Sequence, residues 1–149
     1  GWFTLAWAGN FVVGSLVSSR LQGRVPSLLL IPVGQGILTL GAAAMVATAL
    51  LGFVTPLALI VPLVLMGWGN GLNMPNAIAN ALAAVPANRV GAASALLGFV
   101  QMISAALLTL LIGYLPHTTQ LNIGLGVAVT GIVGLAGWWT LVRRLPKAA

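Results

Sequence analysis

The sequence predicts an all-α membrane protein of five transmembrane helices, part of a C-terminal helical bundle, and three observations lead to this prediction. Sixty per cent of the 149 residues are hydrophobic and four per cent are charged, whereas about a quarter of an ordinary soluble domain is charged. The mean hydropathy is +1.10. Five apolar segments each approach the roughly twenty residues that cross a bilayer core. They cover residues 1–19, 28–53, 56–85, 90–115 and 121–142.

Each segment ends at a polar or proline-containing break. The first ends at SSRLQGRVPS, and the second ends at GFVTP. The third contains Pro62 and Pro75 and ends before Pro86. The fourth ends at PHTTQ and the fifth at RRLPK. Such residues favour turns over helix interiors. The chain opens at Gly1 without the basic stretch of a signal peptide, and we expect it to be a fragment of a longer membrane protein.

Positive charges lie on alternate connections between the segments. The Lys and Arg residues follow the first, third and fifth segments, and the connections after the second and fourth contain none. Cytoplasmic loops of membrane proteins carry the excess of Lys and Arg. We therefore expect an outside N-terminus and a cytoplasmic C-terminus. The six cations are Arg20, Arg24, Arg89, Arg143, Arg144 and Lys147.

The ionisable residues exclude several classes of function. The chain has no Asp, Glu or Cys and a single His, so acid–base catalytic pairs and side-chain metal sites have no residues to form them. We expect no enzyme activity, no metal and no cofactor. The net charge is +6, but the cations are isolated between apolar runs. Nucleic acid is therefore not an expected partner.

A stripe of asparagines interrupts the third segment. Asn70, Asn73, Asn76 and Asn80 fall within an arc of about 120° on one helix face. Amides are costly in hydrocarbon, so this face should contact protein or a water-filled cavity. Cavity lining and interhelical hydrogen bonding are both open. Asn70, Asn73 and Met74 lie nearest mid-span, whereas Asn80 is closer to the cytoplasmic end and is expected to be structural.

Small residues recur at spacings that favour close helix packing in lipid. They predict close contacts within the polypeptide along the second, fourth and fifth segments, with a dimerisation motif as the alternative. The residues are Gly34, Gly36, Gly41, Gly91, Ala95, Gly98, Gly124, Ala128 and Gly131.

Two stretches resemble the C-terminal half of a major facilitator superfamily transporter. They are FTLAWAGNFVVGSLVSSRLQGR, which contains Asn10, and GWGNGLNMPNAIANALAAVPANRVGAASALLGFVQM. The chain is most similar to the bicyclomycin and chloramphenicol resistance (Bcr/CflA) branch of drug:proton antiporters, and the resemblance aligns its five segments with spans eight to twelve. Matching positions in the second stretch are Pro75, Ala79, Ala81, Pro86, Arg89, Gly91, Ala93, Ser94, Gly98 and Gln101.

The connection after the first segment resembles a degenerate copy of the superfamily's cytoplasmic Gly-x-Leu-x-Asp-Arg-x-Gly-Arg loop. Gly14, Leu16, Arg20, Gly23 and Arg24 match, but the Asp is absent and the spacing has shifted. The resemblance thus implies a cytoplasmic loop or gate at Arg20 and Arg24, with Arg89 in the next cytoplasmic turn. Plain loop charge explains Arg20 and Arg24 equally well.

The resemblance implies a bacterial inner-membrane exporter whose two six-helix halves rock about a site near the membrane midplane. Its substrates would be drugs or other small amphipathic solutes, exchanged for protons. The resemblance implies that the coupling acid lies in the N-terminal half of the transporter. His117 is expected in a solvated outer loop. The candidate cavity residues are Asn10, Asn70, Asn73, Met74, Asn76, Gln101 and Ser104.

Two alternatives remain open. One is an exporter of sugars, nucleosides or other metabolites from another facilitator branch. The other is a membrane fragment or subunit that does not transport.

Overall fold

A computed structural model of the chain describes residues 2–53, 55–114 and 121–142. These residues form five α-helices and no β-strand. Three stretches are long and apolar enough to cross a membrane: Ser27–Leu50, Pro56–Ala83 and Ala87–Gly113. The helices are α1 (Trp2–Leu21), α2 (Ser27–Leu50), α3 (Pro56–Ala83), α4 (Val90–Gly113) and α5 (Leu121–Val142), with a short 3-10 turn at Ala87–Arg89 before α4.

Turn residues account for the connections between helices. Gly23 and Gly52 have positive φ values of 95° and 71°, a conformation that other residues rarely adopt. The Thr55 hydroxyl accepts a hydrogen bond of 3.3 Å from the Ala58 N–H, and Pro56 occupies the first turn of α3. An N-cap threonine followed by proline is a strong signal for a helix start. α3 then runs without a break through its internal prolines.

The helix α3 is the centre of the packing, with α1 on one side and α2 on another, and α2 also packs against α5. Glycines on α3 make this close approach possible. A Cβ atom on Gly67 would lie 2.7 Å from the carbonyl oxygen of Trp7 in α1. A Cβ atom on Gly69 would lie 2.5 Å from the carbonyl oxygen of Gly34 in α2. No side chain fits at such distances, so glycine sets the separation of these helices.

Contacts between helices also give their directions. α2 runs antiparallel to α3, since Ser27 bonds to Asn80 at one end and Thr48 to Ala58 at the other. α5 likewise opposes α2, because Gly124 approaches Val46 while Gly131 accepts from Gln35. α1 runs parallel to α3, since Trp7 approaches Gly67 near one end and Ser18 bonds to Asn76 near the other. Arg20 in the last turn of α1, and the connections that contain Arg24 and Arg89, therefore share one end of the bundle, which we call the arginine end.

The helix α4 is the least packed of the five. None of its residues is buried, and its contacts with α3 and α5 are few. The prediction of close packing is wrong for Gly91 and Gly98, because a Cβ atom on either would meet nothing within 4 Å. It is also wrong for Gly36. It is confirmed for Gly34, Gly41, Gly124 and Gly131, each of which lies against a neighbouring helix.

Candidate functional site

A cleft of about 580 Å³ separates α3 from α4, and we refer to it as the α3–α4 cleft. Polar side chains line it from both helices, between apolar side chains that form the remaining wall. The polar residues are Asn70, Asn73, Ser94 and Gln101, and the apolar residues include Met74, Ile78, Leu97 and Val100. The cleft thus offers amide donors and acceptors inside an apolar surface, and none of the described residues that line it is charged.

The amides of the cleft differ in how the fold holds them. Asn73 Nδ2 donates to Gln35 Oε1 of α2, and Gln35 Nε2 donates to the Gly131 carbonyl of α5 at 3.3 Å. Asn73 is therefore fixed by a chain of hydrogen bonds that crosses three helices. Asn70 and Gln101 make no hydrogen bond with any described residue. Their amide groups are the ones available to water or a ligand.

Asn76 lies outside the cleft, in a buried hydrogen-bond cluster between α1 and α3. Its side chain is fully buried. Its Nδ2 atom donates to Ser18 Oγ and to the Leu72 carbonyl, each at 2.6 Å. Its Oδ1 atom accepts from Gln22 Nε2 at 3.3 Å. Every polar atom of this side chain is therefore paired, and the contact joins the ends of two helices.

Asn80 has a similar position one turn further along α3. Its Nδ2 atom donates to Ser27 Oγ at 3.0 Å and to the Asn76 carbonyl at 2.7 Å. This contact joins α3 to the first turn of α2.

Two other predicted cavity residues do not line the α3–α4 cleft. Asn10 lies between α1 and α3, where its Oδ1 accepts from Trp68 Nε1 at 2.9 Å and its Nδ2 donates to the Ala6 carbonyl at 2.8 Å. Ser104 is exposed on α4. The structure thus brings together Asn70, Asn73, Met74 and Gln101 and places Asn10, Asn76 and Ser104 elsewhere.

The arginines form a separate group. Arg20, Arg24 and Arg89 are exposed at the arginine end, and the sequence contains no Asp or Glu with which they would pair. No cluster of metal-ligating side chains occurs among the described residues. The predicted roles of His117, Arg143, Arg144 and Lys147 fall outside the described residues.

Sequence reasoning missed two residues of the site. Ser94 lines the cleft from the first turns of α4, and Gln35 holds Asn73 from α2. Both are polar residues within apolar segments, and that rarity is the signal that points to them.

Comparisons of the chain with protein families, with curated proteins and with solved structures found no match.

Proposed function

We propose that this chain is part of a secondary active transporter of the major facilitator type, with its five helices in the positions of spans eight to twelve. In this proposal the protein exports drugs or other small amphipathic solutes across a bacterial inner membrane, and the arginine end faces the cytoplasm. The observation that carries the proposal is the α3–α4 cleft, an amide-lined space within an otherwise apolar bundle.

Asn70 and Gln101 are polar side chains within apolar helices. An amide without a hydrogen bond is expensive in hydrocarbon, and polar residues in membrane spans usually face a cavity or a pathway. Asn70 and Gln101 have no hydrogen-bond partner among the described residues, unlike Asn73, Asn76 and Asn80. Both line a cleft of about 580 Å³, which is within the usual range of small-molecule sites. Water or a solute in this space satisfies them.

Energy coupling in this proposal comes from outside the chain. Proton antiport uses a titratable group that is reached from both sides, usually a buried carboxylate. The sequence has no Asp or Glu, so the coupling acid belongs to an N-terminal half of the transporter. The five helices here contribute to the substrate site and to the alternating movement.

The test is drug efflux from cells that express the gene product containing this chain. We expect Asn70→Leu and Gln101→Leu each to lower efflux by about fivefold, since a hydrogen bond contributes roughly 1 kcal/mol. Neither change removes a hydrogen bond between residues that the structure describes. Thr109→Val is the control, because Thr109 is exposed on α4 and donates to its own helix at Ala105.

Unchanged efflux in both cleft variants, at matched expression, would contradict the assignment of the cleft as the substrate site. Efflux of sugars or nucleosides in place of drugs would instead support an exporter from another facilitator branch. An absence of substrate movement in all assays would favour a membrane subunit that does not transport.

A further inference from the structure

A second pocket lies at the arginine end of the bundle, away from the α3–α4 cleft. It has a volume of about 620 Å³. The connection between α1 and α2 forms most of its wall, and α3 contributes the rest. Its lining includes Gln22, Arg24, Ser27, Asn76 and Ala79. The proposed transport function does not use this pocket.

The charge of the pocket has no counterpart within the sequence. Arg24 is exposed, and the chain has no Asp or Glu side chain that would form an ion pair with it. The hydroxyl and amides beside it are engaged in the fold: Ser27 bonds to Asn80, and Gln22 bonds to Asn76. These bonds fix the pocket wall, and the Arg24 guanidinium has no Asp or Glu side chain in the sequence with which to pair. A guanidinium presents a planar set of N–H donors that matches a phosphate group.

The surroundings of the pocket match a lipid more closely than a soluble anion. The pocket adjoins the start of α2, one of the helices long enough to cross a membrane. In a bilayer spanned by α2, the pocket would lie at the level where headgroups meet the helix ends. Leu28 and Leu29, in the first turn of α2, are exposed by 42% and 51%. These two residues follow Ser27, the pocket residue that begins α2, and their exposed apolar side chains provide a surface for acyl chains.

We propose that this pocket binds the phosphate headgroup of an anionic phospholipid, with Arg24 as its charged contact and Leu28 and Leu29 beside the acyl chains. Basic residues at a membrane surface attract anionic lipids. In this proposal the pocket holds the lipid headgroup at one place, beside Arg24. The inference requires only that α2 spans a bilayer and does not depend on transport.

The experiment measures lipid binding to the purified full chain in detergent micelles by native mass spectrometry, with phosphatidylglycerol and phosphatidylcholine as probes. We expect preferential retention of phosphatidylglycerol, and we expect Arg24→Gln to weaken it by about fivefold. Arg89→Gln is the matched control, because it removes the same charge at the same end but does not line the pocket. Equal losses in both variants would show diffuse attraction and overturn the site.

Two further measurements separate the remaining outcomes. Ala79→Leu narrows the pocket without changing its charge, so we expect it to weaken phosphatidylglycerol binding. This variant tests the site even if Arg24→Gln does not fold. Unchanged phosphatidylglycerol binding in Ala79→Leu would contradict the pocket as the lipid site. Glycerol 3-phosphate is the soluble competitor. Displacement of the lipid at equal concentrations of this competitor would overturn the lipid assignment in favour of a soluble phosphate.

Discussion

The four asparagines of α3 share one stripe but contact different neighbours. Asn76 and Asn80 bond to α1 and α2 at the arginine end. Asn73 bonds to α2 while lining the cleft, and Asn70 has no partner among the described residues. Interhelical hydrogen bonds in membranes contribute about 0.6 kcal/mol on average and at most about 1.7 kcal/mol. The stripe therefore combines helix association with a polar surface inside the cleft.

Asn76 is the residue whose loss should destabilise the fold most directly. Asn76→Ala removes the partner of the Ser18 hydroxyl and the Gln22 amide in a buried site, and we expect it to lower the free energy of unfolding by about 1–3 kcal/mol. Thermal unfolding in detergent measures this change. Asn88→Ala, at an exposed position in the 3-10 turn, is the control. Equal melting temperatures for the two variants would contradict the structural role of Asn76.

Gly69 should tolerate no side chain, although alanine is the better helix former. Gly69→Ala places a Cβ atom 2.5 Å from the Gly34 carbonyl oxygen, so α2 and α3 must separate and the protein should lose stability. Gly36→Ala is the matched control on α2, where a Cβ atom meets nothing within 4 Å. It should be neutral or stabilising by up to about 1 kcal/mol. Denaturation in detergent distinguishes the two, and a stable Gly69→Ala variant would refute the close contact.

Sequence reasoning identified the polar stripe and expected Asn80 to be structural, but it counted Asn76 among the cavity residues, whereas the structure buries Asn76 against α1. Residue spacing places Asn70 and Asn76 on the same broad face. Which side of that face meets a helix depends on the positions of α1 and α2, and these follow from the close approaches at Gly67 and Gly69. Those close approaches are tertiary contacts, and the spacing of the asparagines along the sequence does not predict them.

At the scale of whole helices, the lengths of the apolar segments and the polar or proline-containing breaks between them predicted the helix boundaries to within three residues. The largest difference in a boundary is at the end of α2, which stops at Leu50 where the apolar segment extends to residue 53. Gly52, with its positive φ, ends the helix earlier. The loose packing of α4 was not predicted, because small residues in a sequence indicate that close packing is possible and do not identify a partner helix.

The cleft should be sensitive to side-chain volume at one position of α4. Gly98 lines the cleft, and Gly98→Phe places a ring there without displacing any helix, since a Cβ atom at Gly98 meets nothing within 4 Å. We expect most of the efflux activity to be lost while expression and stability are retained.

Gly91→Phe provides the comparison for this variant. Gly91 is on the same helix and equally free of neighbours, but it does not line the cleft. Efflux assays at matched expression should separate the two variants. Equal activity in both would contradict the proposed use of the cleft.

At the scale of the whole molecule, the directions of the helices place the described arginines where the distribution of charge along the sequence predicts them, at one end of the bundle. The contacts between helices alternate their directions, so the described arginines all lie at one end of the bundle. The described connections at the opposite end, around Phe53 and Tyr114, contain no Lys or Arg. This asymmetry is what the positive-inside rule predicts for a membrane protein whose arginine end is cytoplasmic. The proposed transport function depends on that placement, whereas the proposed lipid site requires only that α2 spans a bilayer.

Cysteine labelling tests this placement most directly, because the chain has no cysteine of its own. Asn88→Cys introduces a thiol at the arginine end and Phe53→Cys introduces one at the opposite end, and both positions are exposed. We predict that a membrane-impermeant maleimide applied to intact cells labels Phe53→Cys, and that it labels Asn88→Cys only after permeabilisation. Labelling of both thiols from the same side, or of Asn88→Cys alone in intact cells, would contradict the account.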